Sequence, residues 1–444
     1  AAAAGEGPRE RAVAAAAGAA PALAARPAYE RVEVLERARA LLEGRIEEAA
    51  ERIRAEAGKP IALARVEAQR ALDTLSAAAA VARRPEVEAV DLSGYVPGDG
   101  RLALVRRVPV GPVLAITPFN FPLNLVMHKI APAVAAGCPI VVKPASTTPS
   151  PALLLAEIFQ EAGLPDGGLS VIPCRGAQAA SLVEDERFAL VTFTGSDVVG
   201  WGIGQRAWRR RVTLELGGNA AVLVEPDGGD VESVAARIAA AAYGYAGQSC
   251  ISVQRILVNR KVHDALRDAL VDAVTRFPWG DPADEAVRSG PLISASDADR
   301  VTAWVEAGLG AGGRKLVGGA REGNVVAPIL LEDVPPEADV VAREVFGPVA
   351  VLAAYDEFEE GLARVNDSRY GLQAGIFTRD LDKVRRAWDV LDVGGIVQGD
   401  VPTWRCDAMP YGGVKDSGRG REGPAWSWRE MTEERLLVWG PPSP

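Results

Sequence analysis

Histidine is almost absent: only His128 and His263 occur in 444 residues. Hydrolytic triads, zinc sites and histidine-relay dehydrogenases need well-placed imidazoles, so two histidines leave little room for any of them. Cysteine is also sparse. Cys138, Cys174, Cys250 and Cys406 lie far apart with no C-x-x-C pair, which indicates neither a zinc knuckle nor a disulfide framework and fits reduced thiols in a cytoplasm. Positive charge is in deficit, with 49 Lys and Arg against 59 Asp and Glu and a formal net charge of −10. Nucleic acid or an anionic membrane surface would meet net repulsion. No stretch reaches the roughly 18 uninterrupted apolar residues of a membrane span. The Ala-rich start carries Glu6, Arg9, Glu10 and Arg11 where a signal core would be apolar. The expectation is a soluble, cytoplasmic protein that engages neither nucleic acid nor membrane.

Hydrophobic residues make up 48% of the chain and charged residues 24%, the balance of an ordinary globular protein. The length allows two or three domains. From 29 to 57 the apolar positions Leu35, Ala38, Leu42, Ile46, Ala49 and Ile53 step by three or four, which predicts one helix ended by Lys59-Pro60. A second helix is expected over 61–82, followed by a polar, Gly-rich turn or hairpin. A regular alternation then begins: strand 113–116, helix 123–136, strand 140–143, helix 152–162, strand 169–172, strand 190–193, helix 197–208 and strand 212–215. It resumes after Gly217-Gly218 with strand 220–224, helix 231–245, strand 255–258 and helix 262–276. Short apolar strands alternating with helices predict an α/β fold of two doubly wound, mostly parallel sheets, with a boundary near Gly218. Such sheets bind ligands at the carboxyl ends of their strands.

Several familiar motifs fail. Gly195 and Gly200 have P-loop spacing, but Trp201 and Gly202 stand where Lys and Ser or Thr are required. No G-x-S-x-G elbow exists. G-x-G-x-x-G spacing occurs at Gly308-Gly310-Gly313 and at Gly418-Gly420-Gly423, but neither run follows a strand and opens a helix, so both read as loops. Gly195 lies instead at the strand-to-helix junction VTFTGSDVVG. A residue without Cβ there either admits a ligand to the helix N-terminus or simply makes a tight turn.

Three residues stand out. Cys250, in AAYGYAGQSCIS, follows a helical segment among small residues; a lone cysteine is more often a small buried hydrophobe than a nucleophile. Glu215, in RVTLELGGNA, ends an apolar strand, where a carboxylate is costly unless paired or used. Asn120 follows ITPF at a strand end, and its alternative role is N-cap of the helix beginning near Pro122. Together they supply a thiol nucleophile, a carboxylate able to activate water and an amide able to hold an oxyanion. That set suits acyl chemistry without histidine.

ITPFNFPLNLVMHKIAPAVAAG, VVKPAS, FTGS, LELGGN, GQSC, EVFGPV, GLQAGIF and PYGGVKDSG occur in this order along the chain. With them the sequence resembles the aldehyde dehydrogenase superfamily over nearly its whole length. The loop DVPTWRCDAMPYGG is similar to the lactaldehyde, glyceraldehyde and phosphonoacetaldehyde dehydrogenase-like branch. The resemblance implies that Cys250 attacks a small aldehyde, that Asn120 and a backbone N–H at Cys250 hold the oxyanion, and that Glu215 activates the water that hydrolyses the thioester. It implies NAD or NADP as cofactor, with Thr117, Pro118, Lys143, Ser146, Gly195, Ser196, Gly200, Leu216, Glu344 and Phe346 around it. Ser146 stands where NAD-preferring members often carry a carboxylate, which favours room for a 2′-phosphate. Gly399 replaces a commoner Asn.

Around the substrate the same comparison places Phe121, His128, Ser249 and Arg405. Arg405 offers a site for a substrate anion, or pairs with Asp407 or Asp400; His128 serves as a ligand or as packing. The implied domains are 1–90 with 110–217 for the cofactor, 218–429 for catalysis, and 91–109 with 430–444 for assembly into a homodimer or homotetramer. Two other functions stay open: a relative that binds cofactor without turnover, and an enzyme that passes the acyl group to coenzyme A.

Overall fold

The computed structural model describes residues 4–440. The outermost parts of the expected ranges, 1–3 and 441–444, lie outside the described residues. The Ala-rich start is a helix, Glu6–Ala25, that buries Val13 and Ala16 against the first sheet. The stripe expected to make one helix over 29–57 makes two, Ala28–Glu43 and Ile46–Ala57. Gly44 weakens the helix, and Arg45 leaves helical geometry while reaching Glu48 and Glu157. Both helices still bury their apolar faces in one core with Ile61–Arg83. The second ends on Gly58 in the left-handed region, at φ 64°, a conformation glycine adopts without strain.

The first sheet runs in the order Gly418–Arg419, Arg211–Glu215, Leu190–Thr194, Val113–Ile116, Ile140–Lys143, Leu169–Val171. It is parallel except for the first strand, which lies antiparallel to Arg211–Glu215. Its central strands are buried throughout, as sheets covered by helices on both faces require. Helices Asn124–Ala136, Ser150–Glu161, Gly176–Glu184 and Asp197–Arg206 make the crossovers. The second sheet orders Arg314–Val317, Ile329–Glu332, Val349–Tyr355, Arg255–Asn259, Ala221–Val224, Gln373–Phe377 and Gly395–Gln398, parallel except for its first strand.

Val87–Val90, Leu102–Pro109 and Thr432–Trp439 form a separate antiparallel sheet, which begins ahead of the boundary expected at 91. Residues 418–419 return to the first sheet although the range 218–429 was expected to stay with the second. The two glycine runs are loops only in part, at Gly313, Gly420 and Gly423. Gly308 and Gly310 close helix Ala295–Gly310, where a Cβ on Gly308 would stand 2.9 Å from Val340 Cγ1, and Gly418 is in a strand. No helix among the described residues is long and apolar enough to cross a membrane.

The register decides where ligands can sit. Ile116 is level with Lys143 and with Phe193, and Thr194 is level with Glu215. Thr117, Lys143, Gly195 and Glu215 therefore emerge together at the carboxyl edge of the first sheet.

Candidate active site

A cavity of about 1080 Å³ opens at that edge and reaches the loops of the second sheet. Its wall holds Asn120, Glu215 and Cys250. Thr117, Pro118, Lys143, Ser146, Gly195, Ser196, Leu216, Glu344 and Phe346 line it, as do Phe121, Ser249 and Arg405. Gly200 and His128 do not. Gly200 lies behind the wall, where a Cβ would run into Leu216.

Cys250 is held by its approach. After helix Val231–Tyr243, Tyr245 and Ala246 both take φ 53°, a strained conformation for residues with side chains. The Gln248 carboxamide fixes the next turn, donating to the carbonyls of Tyr245 at 3.3 Å and Pro291 at 3.2 Å and accepting from the Ile293 N–H at 2.9 Å. Asn120 Nδ2 donates to the Gln248 carbonyl at 3.0 Å, so the amide and the Cys250 loop are joined. Asn120 does not cap the following helix. Glu67 accepts from the N–H groups of Leu123 and Asn124 at 2.9 and 3.1 Å, satisfying that terminus instead. Cys250 Sγ lies 2.8 Å from the Tyr411 hydroxyl, and burial pushes its thiol up to about 12.

Glu215 ends its strand buried, and neither carboxylate oxygen has a hydrogen-bond partner. Burial, and then the neighbouring Glu422, push it well above the usual carboxylate range. Against the cost of burial, the Lys129 ammonium at 3.7 Å does most to hold Glu422 below that range. Of the two acids, Glu422 is the one kept charged.

Arg405 is buried beside them, its guanidinium 3.8 Å from the centre of the Tyr411 ring. The carboxylates offered to it lie at 3.7 Å in Glu422 and 3.9 Å in Asp407, and its Nε has no hydrogen-bond partner. Asp400 pairs with Arg237 at 2.5 Å and Asp407 with Arg70. His128 is a correction to the expectation of a channel residue. Helix Asn124–Ala136 is buried on every side, and the imidazole meets Asp407 at 2.8 Å. Burial and Arg405 pull its pKa below the usual value, which leaves it neutral and donating.

The other end of the cavity has the donors a dinucleotide needs. Thr117 Oγ1 and Thr194 Oγ1 are buried without partners. Lys143 has its pKa lowered by burial. A Cβ on Gly195 would stand 2.6 Å from the Phe193 ring, so a larger residue there would need that ring to shift. Glu344 accepts the Gly218 N–H at 2.9 Å, and burial raises it to about 7. Phe346 packs edge-on against Phe119 at 5.8 Å. Orphaned hydroxyls, an amine and a glycine-lined helix start fit the phosphates and riboses of a nicotinamide dinucleotide. Among the described residues no group of three His, Cys, Asp or Glu is placed to hold a metal.

With one exception, nothing local in the sequence marks Tyr411, Glu422 or Lys129 as members of the site, and Asp407 stands out only as a partner for Arg405. One signal was present: Lys129 stands beside His128 inside an otherwise apolar helix, and a buried lysine there needs a partner.

The aldehyde dehydrogenase family model matches residues 1–437. The 3-sulfolactaldehyde dehydrogenase of Priestia aryabhattai is 45% identical over 411 residues, covering 92% of this chain and 86% of that protein. Aldehyde dehydrogenase 21 from Physcomitrella patens, solved with the reaction product succinate, superposes with a TM-score of 0.96 at 42% identity, over 97% of this chain and 90% of that one. The glyceraldehyde-3-phosphate dehydrogenase GapN of Methanocaldococcus jannaschii, complexed with NADP, gives 0.94 at 34% identity, over 99% and 96%. This chain belongs to the aldehyde dehydrogenase family.

Proposed function

We propose that the protein oxidises a short, anionic or hydroxylated aldehyde to the carboxylate, using NAD or NADP. The observation that carries this is the shared wall: Asn120 is hydrogen-bonded into the Cys250 loop, and Glu215 stands in the same cavity with both oxygens free. Cys250, as thiolate, forms the S–C bond while the carbonyl electron pair moves to oxygen. Asn120 Nδ2 and a backbone N–H at Cys250 donate to that oxyanion. A bound nicotinamide would supply the acceptor for the hydride that leaves the aldehyde carbon. Glu215 takes a proton from water as the water adds to the thioester, and the C–S bond breaks to return the thiolate. Aldehyde, water and oxidised cofactor give carboxylate, reduced cofactor and two protons.

Lys143 and Ser146 would hold the adenosine ribose, Gly195 and Ser196 the pyrophosphate, and Glu344 with Phe346 the nicotinamide ribose and ring. Ser146, small and neutral, leaves room for a 2′-phosphate. Arg405 supports an anionic substrate, since it is buried with an unpartnered donor. The phenol ring that stacks under it also meets the Cys250 sulfur through its hydroxyl, a proximity that suits short aldehydes. The names of the relatives point the same way, one being a 3-sulfolactaldehyde dehydrogenase and another being solved with succinate. The free cysteines suit a reducing compartment, and the exposed Leu436, Leu437, Val438 and Trp439 on the three-stranded sheet support assembly of copies of the chain.

The test is absorbance of reduced nicotinamide with NAD and NADP in parallel, across neutral and anionic short aldehydes, with Cys250→Ala as control. Turnover that needs Cys250 but no coenzyme A is expected. Turnover that stalls after one equivalent until coenzyme A is added would establish the acylating alternative. Cofactor binding with no turnover across the panel would establish the silent one.

A further inference from the structure

Tyr411 is fixed from three directions. Its backbone forms an antiparallel bridge with Glu422, Tyr411 N–H to Glu422 O at 2.9 Å and Glu422 N–H to Tyr411 O at 2.6 Å. Its ring is buried against Ile251 and Leu372 under the Arg405 guanidinium. Its hydroxyl meets Cys250 Sγ at 2.8 Å. A phenol so placed has one orientation, and what it points at is the nucleophile.

We propose that Tyr411 is a positioning residue for Cys250: its hydroxyl donates to Sγ, fixing the sulfur and favouring the thiolate that attacks the aldehyde. Once Cys250 ionises its sulfur can only accept, and burial keeps the Tyr411 phenol protonated and able to donate to it. The cation over the ring face withdraws electron density from the phenol and strengthens the donor. The charges facing the sulfur are mixed. Glu344, before Phe346, and Glu215, at the end of Arg211–Glu215, oppose the thiolate, whereas Arg405 and the Tyr411 hydroxyl favour it. The phenol itself faces Cys250, Arg405 and Glu215. Tyr411 thus supplies a neutral donor where two acids disfavour ionisation.

The inference rests on Cys250 as nucleophile, which Cys250→Ala tests by turnover alone. Tyr411 is tested by the rate at which iodoacetamide alkylates Cys250 between pH 6 and 10, read on the Cys250 peptide by mass spectrometry. In Tyr411→Phe the ring and its stacking remain. Losing a hydrogen bond to a charged sulfur is expected to slow alkylation at neutral pH about tenfold and to move the profile up by about one pH unit. An unchanged profile, with NADP binding and melting temperature retained, would overturn the proposal. Where Tyr411→Phe does not fold, 3-fluorotyrosine at 411 decides, because it keeps the hydroxyl and makes it a stronger donor. Faster alkylation at neutral pH supports the proposal, and an unchanged or slower rate overturns it.

Discussion

Arg70 and Asp407 meet from opposite ends of the chain in a two-pronged ion pair, Nε to Oδ2 at 2.9 Å and Nη2 to Oδ1 at 2.8 Å. Asp407 also accepts from Asn124 at 3.1 Å and from His128, so one carboxylate ties the helix Ile61–Arg83, the helix Asn124–Ala136 and the Arg405 loop together. Against the pull of burial, the hydrogen bonds from His128 and Arg70 hold it well below the usual range. Removing one partner of a largely buried pair leaves the others unmatched, and Asp407→Asn is expected to lower stability by about 3 kcal/mol. The sign follows from the lowered value. The pair's contribution is complete above the unfolded aspartate range near pH 4, and is lost as pH falls through the folded value. Urea unfolding at pH 7 and at pH 5 should therefore show the same gap between the two proteins, narrowing only in stronger acid. A gap that closes between pH 7 and 5 would reject this account.

Glu215 and Glu422 make a second pH-dependent pair, this time in the chemistry. Only the ionised carboxylate can take a proton from water, and Glu215 is raised by burial and by Glu422. Steady turnover should rise with pH through a range above that of ordinary carboxylates and fall away as Glu215 is protonated. Glu422→Gln removes the neighbouring charge, so the rise should move to lower pH. Glu215→Gln should keep the first equivalent of reduced cofactor and slow later turnovers by about 10²- to 10⁴-fold. Stopped-flow absorbance separates burst from steady rate, and equal loss of both would remove Glu215 from the hydrolytic step.

Ser146 controls the cofactor prediction. It lines the cavity near Lys143 and its hydroxyl donates to the Cys174 carbonyl at 3.1 Å. A carboxylate there would repel a 2′-phosphate and accept from a ribose hydroxyl, so Ser146→Glu should shift the NADP-to-NAD ratio of kcat/KM toward NAD by about 100-fold. An unaltered ratio would place the adenosine ribose elsewhere.

Much of this site is local in the chain, and that part could be read from residues alone. Cys250, Glu215 and Asn120 each sit at the end of a periodic segment beside small residues, where a polar group has a visible reason to be exceptional. Tyr411 and Glu422 do not, because their positions depend on residues 418–419 folding back antiparallel onto Arg211–Glu215, a contact between segments about 200 residues apart that no local pattern encodes. Helix Glu6–Ala25 escaped for a different reason: alanine on every face leaves no polar contrast to mark a period. The break at Gly44 escaped because the apolar stripe stays in phase across it, both halves packing on Ile61–Arg83. His128 was drawn toward the channel by the resemblance, whereas its burial among Asp407, Arg405 and Thr74 makes it part of the wall's support.

Arg405 tests the substrate class. If its unpartnered donor receives a substrate anion, Arg405→Gln should raise KM for 3-sulfolactaldehyde or succinic semialdehyde by about 30- to 100-fold, the loss expected for a buried charge-assisted contact. The same variant should change kcat/KM for propanal, which has no anion, by no more than about threefold. Arg405→Lys keeps the charge but not the planar guanidinium, and should fall between the two because an ammonium offers no donor in the place of Nε and stacks less well on Tyr411. The split between charged and neutral substrates is what matters, since Arg405 also neighbours Glu422 and the Tyr411 ring. Equal losses on both substrates would assign Arg405 to holding that wall, and the anion would then have to be recognised by another group lining the cavity.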